Sequence, residues 1–202
     1  MNMLDQLYKD AKRPQDYVTG YLNHLANLFK TVDADAIAQT IDCFLTARKD
    51  GTKIYFVGNG GSAATSSHFA NDIAIGTRTK DTHFKAIALT DNNAILTALG
   101  NDDGYNEIFV RQLEILMEPG DLLVAISASG NSPNIIKAVE YTKSQGNKVI
   151  GLTGFDGGKL KELSDINLHL QTAKGEYGPV EDFHMILDHL IGTYLYRVVH
   201  NS

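Results

Sequence analysis

Cysteine is nearly missing from this chain: Cys43 stands alone in 202 residues, which excludes an internal disulfide framework and points to a reducing, cytoplasmic setting. Cys43 falls inside a helical pattern and reads as a small buried hydrophobe rather than a nucleophile. No apolar run approaches the roughly 20 residues that span a bilayer, and Met1-Asn-Met-Leu-Asp-Gln6 lacks the charged and apolar zones of a secretory signal, so no membrane partner is expected. Basic runs stop at two residues and the formal net charge is −6, so the electrostatic footprint of a nucleic-acid binder is missing. Repeats, low-complexity tracts and linkers are also lacking. One domain over 1–202 is expected, with a helical extension over 1–50 and an α/β core over 51–202.

Two helices come first. Residues 15–31 carry a stripe of Tyr17, Val18, Tyr21, Leu22, Leu25, Leu28 and Phe29, and 35–49 turns Ile37, Ile41, Phe44 and Leu45 inward before stopping at Gly51. From Lys53 onward, strand-like apolar runs (53–57, 84–89, 121–126, 147–152, 166–170) alternate with helices near 62–75, 92–100, 104–117, 132–145, 157–163 and 179–199. Continuous apolar strands joined by crossover helices predict a doubly wound α/β fold, a five-stranded parallel sheet of order 2-1-3-4-5 buried on both faces.

In that order, two Gly/Ser-rich loops flank the topological switch point. Gly58-Asn-Gly-Gly-Ser62 follows the first strand and Ser127-Ala-Ser-Gly-Asn-Ser132 follows the third. Each opens a helix, where unpaired N–H groups and the macrodipole favour an anion. The second loop offers more hydroxyls than capping requires, with Ser132 as N-cap and Pro133 at the first helical position. A phosphorylated small molecule lying across the strand ends is the expected ligand. Neither loop ends in the Gly-Lys-Ser/Thr of a P-loop. The first does satisfy G-x-G-x-x-A, but the ribose-binding acid of a dinucleotide site belongs about 20 residues on, whereas Asp91 lies about 30 on, and a dinucleotide leaves the second loop unexplained.

Titratable side chains collect on two helices. His68 and Asp72 are four apart on the helix that the first loop opens, a spacing that suits a shared metal, an acid/base pair or a solvated contact. The last helix adds Glu181, Asp182, His184, Asp188 and His189. His184 and Asp188, again four apart, are positioned to pair with each other. Glu181 and His189 are separated by roughly 12 Å of helical rise. They reach one metal only if the helix starts irregularly near Gly178-Pro179, or if they come from different subunits.

Taken in order, Gly58-Asn-Gly-Gly-Ser62, His68-Phe-Ala70, Gly100-Asn-Asp102, Ser127-Ala-Ser-Gly-Asn-Ser132 and Leu152-Thr-Gly-Phe-Asp-Gly-Gly158 resemble the sugar isomerase (SIS) domain, and within it the phosphoheptose isomerase branch. The resemblance covers most of the chain. It implies conversion of sedoheptulose 7-phosphate to an aldoheptose 7-phosphate, zinc as cofactor, and a homotetramer with active sites between subunits. It also implies sugar-phosphate contacts at Asn59, Gly60, Gly61, Ser62, Asn101, Asp102, Ser127, Ala128, Ser129, Ser132 and Glu181. Asp72 and His189 become the catalytic pair, and His68, Asp72, Glu181 and His189 the metal ligands. Three positions depart from the family pattern: Asp72 stands where Glu is usual, Glu181 where Gln is usual, and Ile75-Gly76 where a Gly-Arg pair is expected, with Arg78 displaced by two. The rival reading is a non-catalytic SIS sensor or scaffold of the type that associates with a replication initiator. A third keeps catalysis but changes the sugar.

Overall fold

The computed structural model describes residues 2–201. Five parallel strands, β1 (Lys53–Gly58), β2 (Lys85–Ala88), β3 (Leu122–Ser127), β4 (Lys148–Thr153) and β5 (Ile166–His169), lie in the order β2-β1-β3-β4-β5, as their apolar runs predict. Asp121 fixes the start of the sheet: its carboxylate accepts the Lys53 N–H at 2.7 Å and the Glu118 N–H at 2.8 Å. Register then runs from Ile54 opposite Leu122 to Gly58 opposite Ile126, which brings the two Gly/Ser loops out side by side.

The central strands are buried on both faces. On one, α3 (Ala34–Asp50), α4 (Gly61–Asn71) and α9 (Tyr177–Asn201) cover a core built from Phe44, Phe56, Phe69, Phe183 and Leu187. On the other, α6 (Val110–Leu116), α7 (Pro133–Ser144) and α8 (Gly158–Leu163) close over Tyr55, Leu113, Ile135, Val139 and Leu160. Each such fully buried large side chain contributes about 1.5–3 kcal/mol. The edge strand β2 differs from expectation. It is short and half-covered, with Ile87 exposed, because only β1 borders it.

The helical extension divides in two. In α3, Ile37, Ile41 and Phe44 are buried as expected, Leu45 is half-buried, and the helix ends at Gly51. Cys43 is also half-buried on this core, and burial pushes its thiol pKa up, in keeping with a hydrophobe rather than a nucleophile. By contrast α2 (Pro14–Leu28) buries no residue, and Val18 and Leu22 remain more than half exposed. A further helix, α1 (Met3–Asp10), precedes it. These two are fastened by Glu176, a buried carboxylate that accepts the Met3 N–H at 2.6 Å and meets His24 Nε2 at 3.0 Å. The helix expected over 62–75 ends at Asn71 and continues as one π-helical turn over Asp72–Gly76. The segment 104–117 resolves into a short 3₁₀ turn, Tyr105–Glu107, and α6. α5 (Asn93–Asp102) completes the set.

Candidate active site

The loop after β1 turns sharply at Gly60, whose φ of +54° and ψ of −123° lie outside what other residues adopt readily. It then starts α4 with Gly61 in the first turn. Asn59 points across to the neighbouring helix. Its amide and that of Asn134 exchange two hydrogen bonds (2.9 and 2.8 Å), and the Tyr105 hydroxyl donates to Asn59 Oδ1 at 2.9 Å. The two loops are therefore tied together through α7.

The loop after β3 closes on itself. Ser127 Oγ accepts the Gly130 N–H at 3.2 Å and lies 3.4 Å from Ser132 Oγ. Asn131 donates to the Ser129 carbonyl at 2.9 Å and accepts the Lys159 N–H at 3.1 Å, while Gly154 N–H donates to the Ala128 carbonyl. Ser132 does precede Pro133 at the helix start, but its hydroxyl makes no capping bond and faces Ser127 Oγ instead. Ser129 and Asn131 border a cavity of about 350 Å³ that also carries Lys174, a cation beside the anion-seeking loop. A cavity of about 440 Å³ lies at the opposite end of the strands, around Cys43, Asp121 and Lys148, and includes none of the expected site residues.

Beside the first loop, α4 and α9 bring four titratable side chains together. Ligand-capable atoms of His68, Asp72, Asp188 and His189 all lie within 4.8 Å of one another. His68 Nε2 is 3.6 Å from Asp72 Oδ2 and 3.7 Å from Asp188 Oδ2, and the His68 and His189 rings meet edge to face at 5.3 Å. Asp188 is fully buried, and burial, reinforced by the Asp72 charge, pushes its pKa up to about 7. Two donors held at about 2.1 Å by one tetrahedral cation stand about 3.4 Å apart, so the His68 contacts match a zinc-like ion, and the remaining pairs, all within 4.8 Å, would draw in around it.

The structure thus brings together His68, Asp72 and His189 of the expected metal set. Glu181 is elsewhere: α9 runs as regular helix from Tyr177, and the Glu181 carboxylate lies against Gly61, 2.8 Å from where a Cβ there would sit. An anion is favourable at that spot, the start of α4. His184 and Asp188 do not pair with each other, since neither makes a side-chain hydrogen bond. Burial instead drives the His184 pKa down to about 4; the Thr153 backbone opposes this but without a hydrogen bond of full geometry. Asn101 and Asp102 end α5, exposed and bonded to each other at 2.7 Å, three residues before Tyr105. Sequence reasoning missed Asn134, Tyr105 and the place of Asp188 in the cluster. Asn134, directly after Pro133, carried a faint signal, as an amide at the start of a loop-opened helix.

Known proteins share this sequence pattern and fold. The SIS domain family model matches residues 16–154. The phosphoheptose isomerase of Aliarcobacter butzleri is 39% identical over 173 residues, covering 85% of this chain and 90% of that protein. That of Trichlorobacter lovleyi is 40% identical over 184 residues, covering 88% and 90%. The solved phosphoheptose isomerase of Neisseria gonorrhoeae superposes with a TM-score of 0.81 at 32% identity, over 91% of this chain and 98% of that one. The chain belongs to the SIS domain family, in its phosphoheptose isomerase branch.

Proposed function

We propose that this protein is an aldose–ketose isomerase that converts sedoheptulose 7-phosphate to an aldoheptose 7-phosphate through an enediol. The observation that carries this reading is the meeting of His68, Asp72 and His189 beside two anion-seeking loops. Isomerisation needs a proton taken from the carbon next to the carbonyl, returned one carbon away, and charge stabilised on oxygen in between. Asp72 and His189 are the proton carriers. The main-chain N–H groups and hydroxyls of residues 127–132 hold the phosphate, and so fix the register of the carbon chain against the pair. Gly60, Gly61, Ser62 and the Asn59 amide edge line the sugar from the α4 side, with Asn101 and Asp102 at the rim and Glu181 reaching in from α9.

His68, Asp72 and His189 supply a donor set that suits zinc. Bound there, zinc would polarise the substrate's carbonyl and hydroxyl oxygens. An exposed apolar row on α9 (Ile186, Leu190, Tyr194) flanks His189, and α2 leaves Val18 and Leu22 uncovered. These surfaces fit a homotetramer with active sites between subunits. Among the described residues no helix is long and apolar enough to cross a membrane, and the single cysteine fits a cytoplasmic enzyme.

Incubation of the zinc-supplemented protein with sedoheptulose 7-phosphate should yield the aldose. Asp72→Asn should abolish turnover while sugar-phosphate binding, read by calorimetry, survives. Full activity in that variant removes Asp72 from the chemistry. Reaction of only shorter phosphorylated ketoses overturns the heptose assignment and leaves the isomerase class standing.

A further inference from the structure

Asp188 has no task in the mechanism above, yet it is the most costly acid on α9. It is fully buried, both its oxygens lack a hydrogen-bond partner, and among the described residues no lysine or arginine forms an ion pair with it. An ionised carboxylate left that way costs several kcal/mol, so such groups are found paired or bound to cations. Its Oδ2 faces His68 Nε2 at 3.7 Å, nearly the same separation as Asp72 Oδ2 shows at 3.6 Å. Both distances match the roughly 3.4 Å expected between two donors on one tetrahedral ion.

Glu181 does not offer the same within one protomer. Eight residues of regular helix put it roughly 12 Å of rise from His189, and its carboxylate is taken up against Gly61. The geometry points to Asp188 as a further protein ligand of the divalent cation, giving a two-imidazole, two-carboxylate set from one protomer that a substrate oxygen would join as a fifth donor. This inference rests on the metal reading above. Its consequences are chemical. Two carboxylates cancel the cation's charge and add hard oxygen donors, and Glu181 is released to act at the first loop.

The test uses the full chain stripped of metal, with zinc affinity measured by competition against a chromophoric chelator and melting followed with and without zinc. Asp188→Asn should weaken zinc at least about tenfold, the lower bound seen when a supporting group at a metal site is removed. Metal-free Asp188→Asn should melt no lower than metal-free wild type, because the carboxylate it replaces makes no hydrogen bond that the change would break. The zinc-induced rise in melting temperature should shrink with the affinity. Asp188→Leu, apolar and close in volume, repeats the test with no polar group to bury. Glu181→Gln should keep wild-type zinc affinity. Zinc retained by both Asp188 variants but lost in His68→Ala overturns the role of Asp188 and leaves the metal site intact. Zinc affinity unchanged in His68→Ala as well removes the metal reading itself.

Discussion

The loops that open α4 and α7 are built from similar residues yet held in different ways. In the loop after β3, a Cβ on Gly130 would come within 1.9 Å of the Gly157 carbonyl oxygen, and the loop's polar groups bond largely to each other and to the turn that starts α8. In the loop after β1, nothing approaches within 4 Å of such a Cβ on Gly60, and the contact at Gly61 is the flexible end of Glu181. One loop is preformed by packing. The other is packed only at its base, where a Cβ on Gly58 would come within 2.3 Å of the Ser62 carbonyl oxygen, and is open at Gly60 with an adjustable acid beside it. On the proposed function, the packed loop would hold the phosphate and the open one arrange the sugar chain.

Breaking the comparison starts with the glycines. Gly130→Ala collides with backbone and forces an L residue to a φ of +63°, so a loss of about 4 kcal/mol or more is expected, read as insoluble or low-melting protein. Gly60→Ala meets no neighbour, only the strain of holding φ +54° with ψ −123°, up to about 3 kcal/mol, and should fold. Equal losses in the two, by urea unfolding, would erase the distinction between a packed and an open loop.

The support beneath the packed loop gives the next largest effect. His184 is buried near Thr153, the residue before the Gly154 that bonds Ala128. Its folded pKa of about 4 lies below the ordinary 6.5, so the unfolded chain takes up the proton first. Its stability contribution is whole above pH 6.5 and is lost as pH falls toward 4, about 3 kcal/mol across that window. His184→Phe should flatten the difference in unfolding free energy between pH 7 and pH 4.5. An unchanged slope would remove His184 as its source.

The smallest expected effect tests the tie between the loops. Asn134→Ala leaves the Asn59 amide half paired, at a cost of about 2 kcal/mol. Combined with Asn59→Ala in a double-mutant cycle, the losses should fall well short of additive. Additive losses would mean that the loops hold their places independently.

Strand order and the switch point were legible because uninterrupted runs such as Leu122–Ile126 have no partner but a doubly covered sheet. The edge was not: β2 is apolar by sequence, but its neighbours decide its exposure. α1 was missed because it buries nothing, so its sequence carries no core-facing demand. On α9 the spacing misled. His184 and Asp188 share a face at i, i+4, but one turn of rise sends them to different neighbours, the end of β4 and the side of α4. Glu181 stood out as a site residue, yet which site atom it serves depends on how α9 crosses α4, which no local pattern records.

The Glu176 anchor makes α1 and α2 a working part of the molecule. That one acid holds the backbone of Met3 and the ring of His24, and it immediately precedes the helix carrying Glu181, Asp188 and His189. Displacing Met3 leaves this interior acid resting on His24 alone and loosens the base of α9 from some distance away.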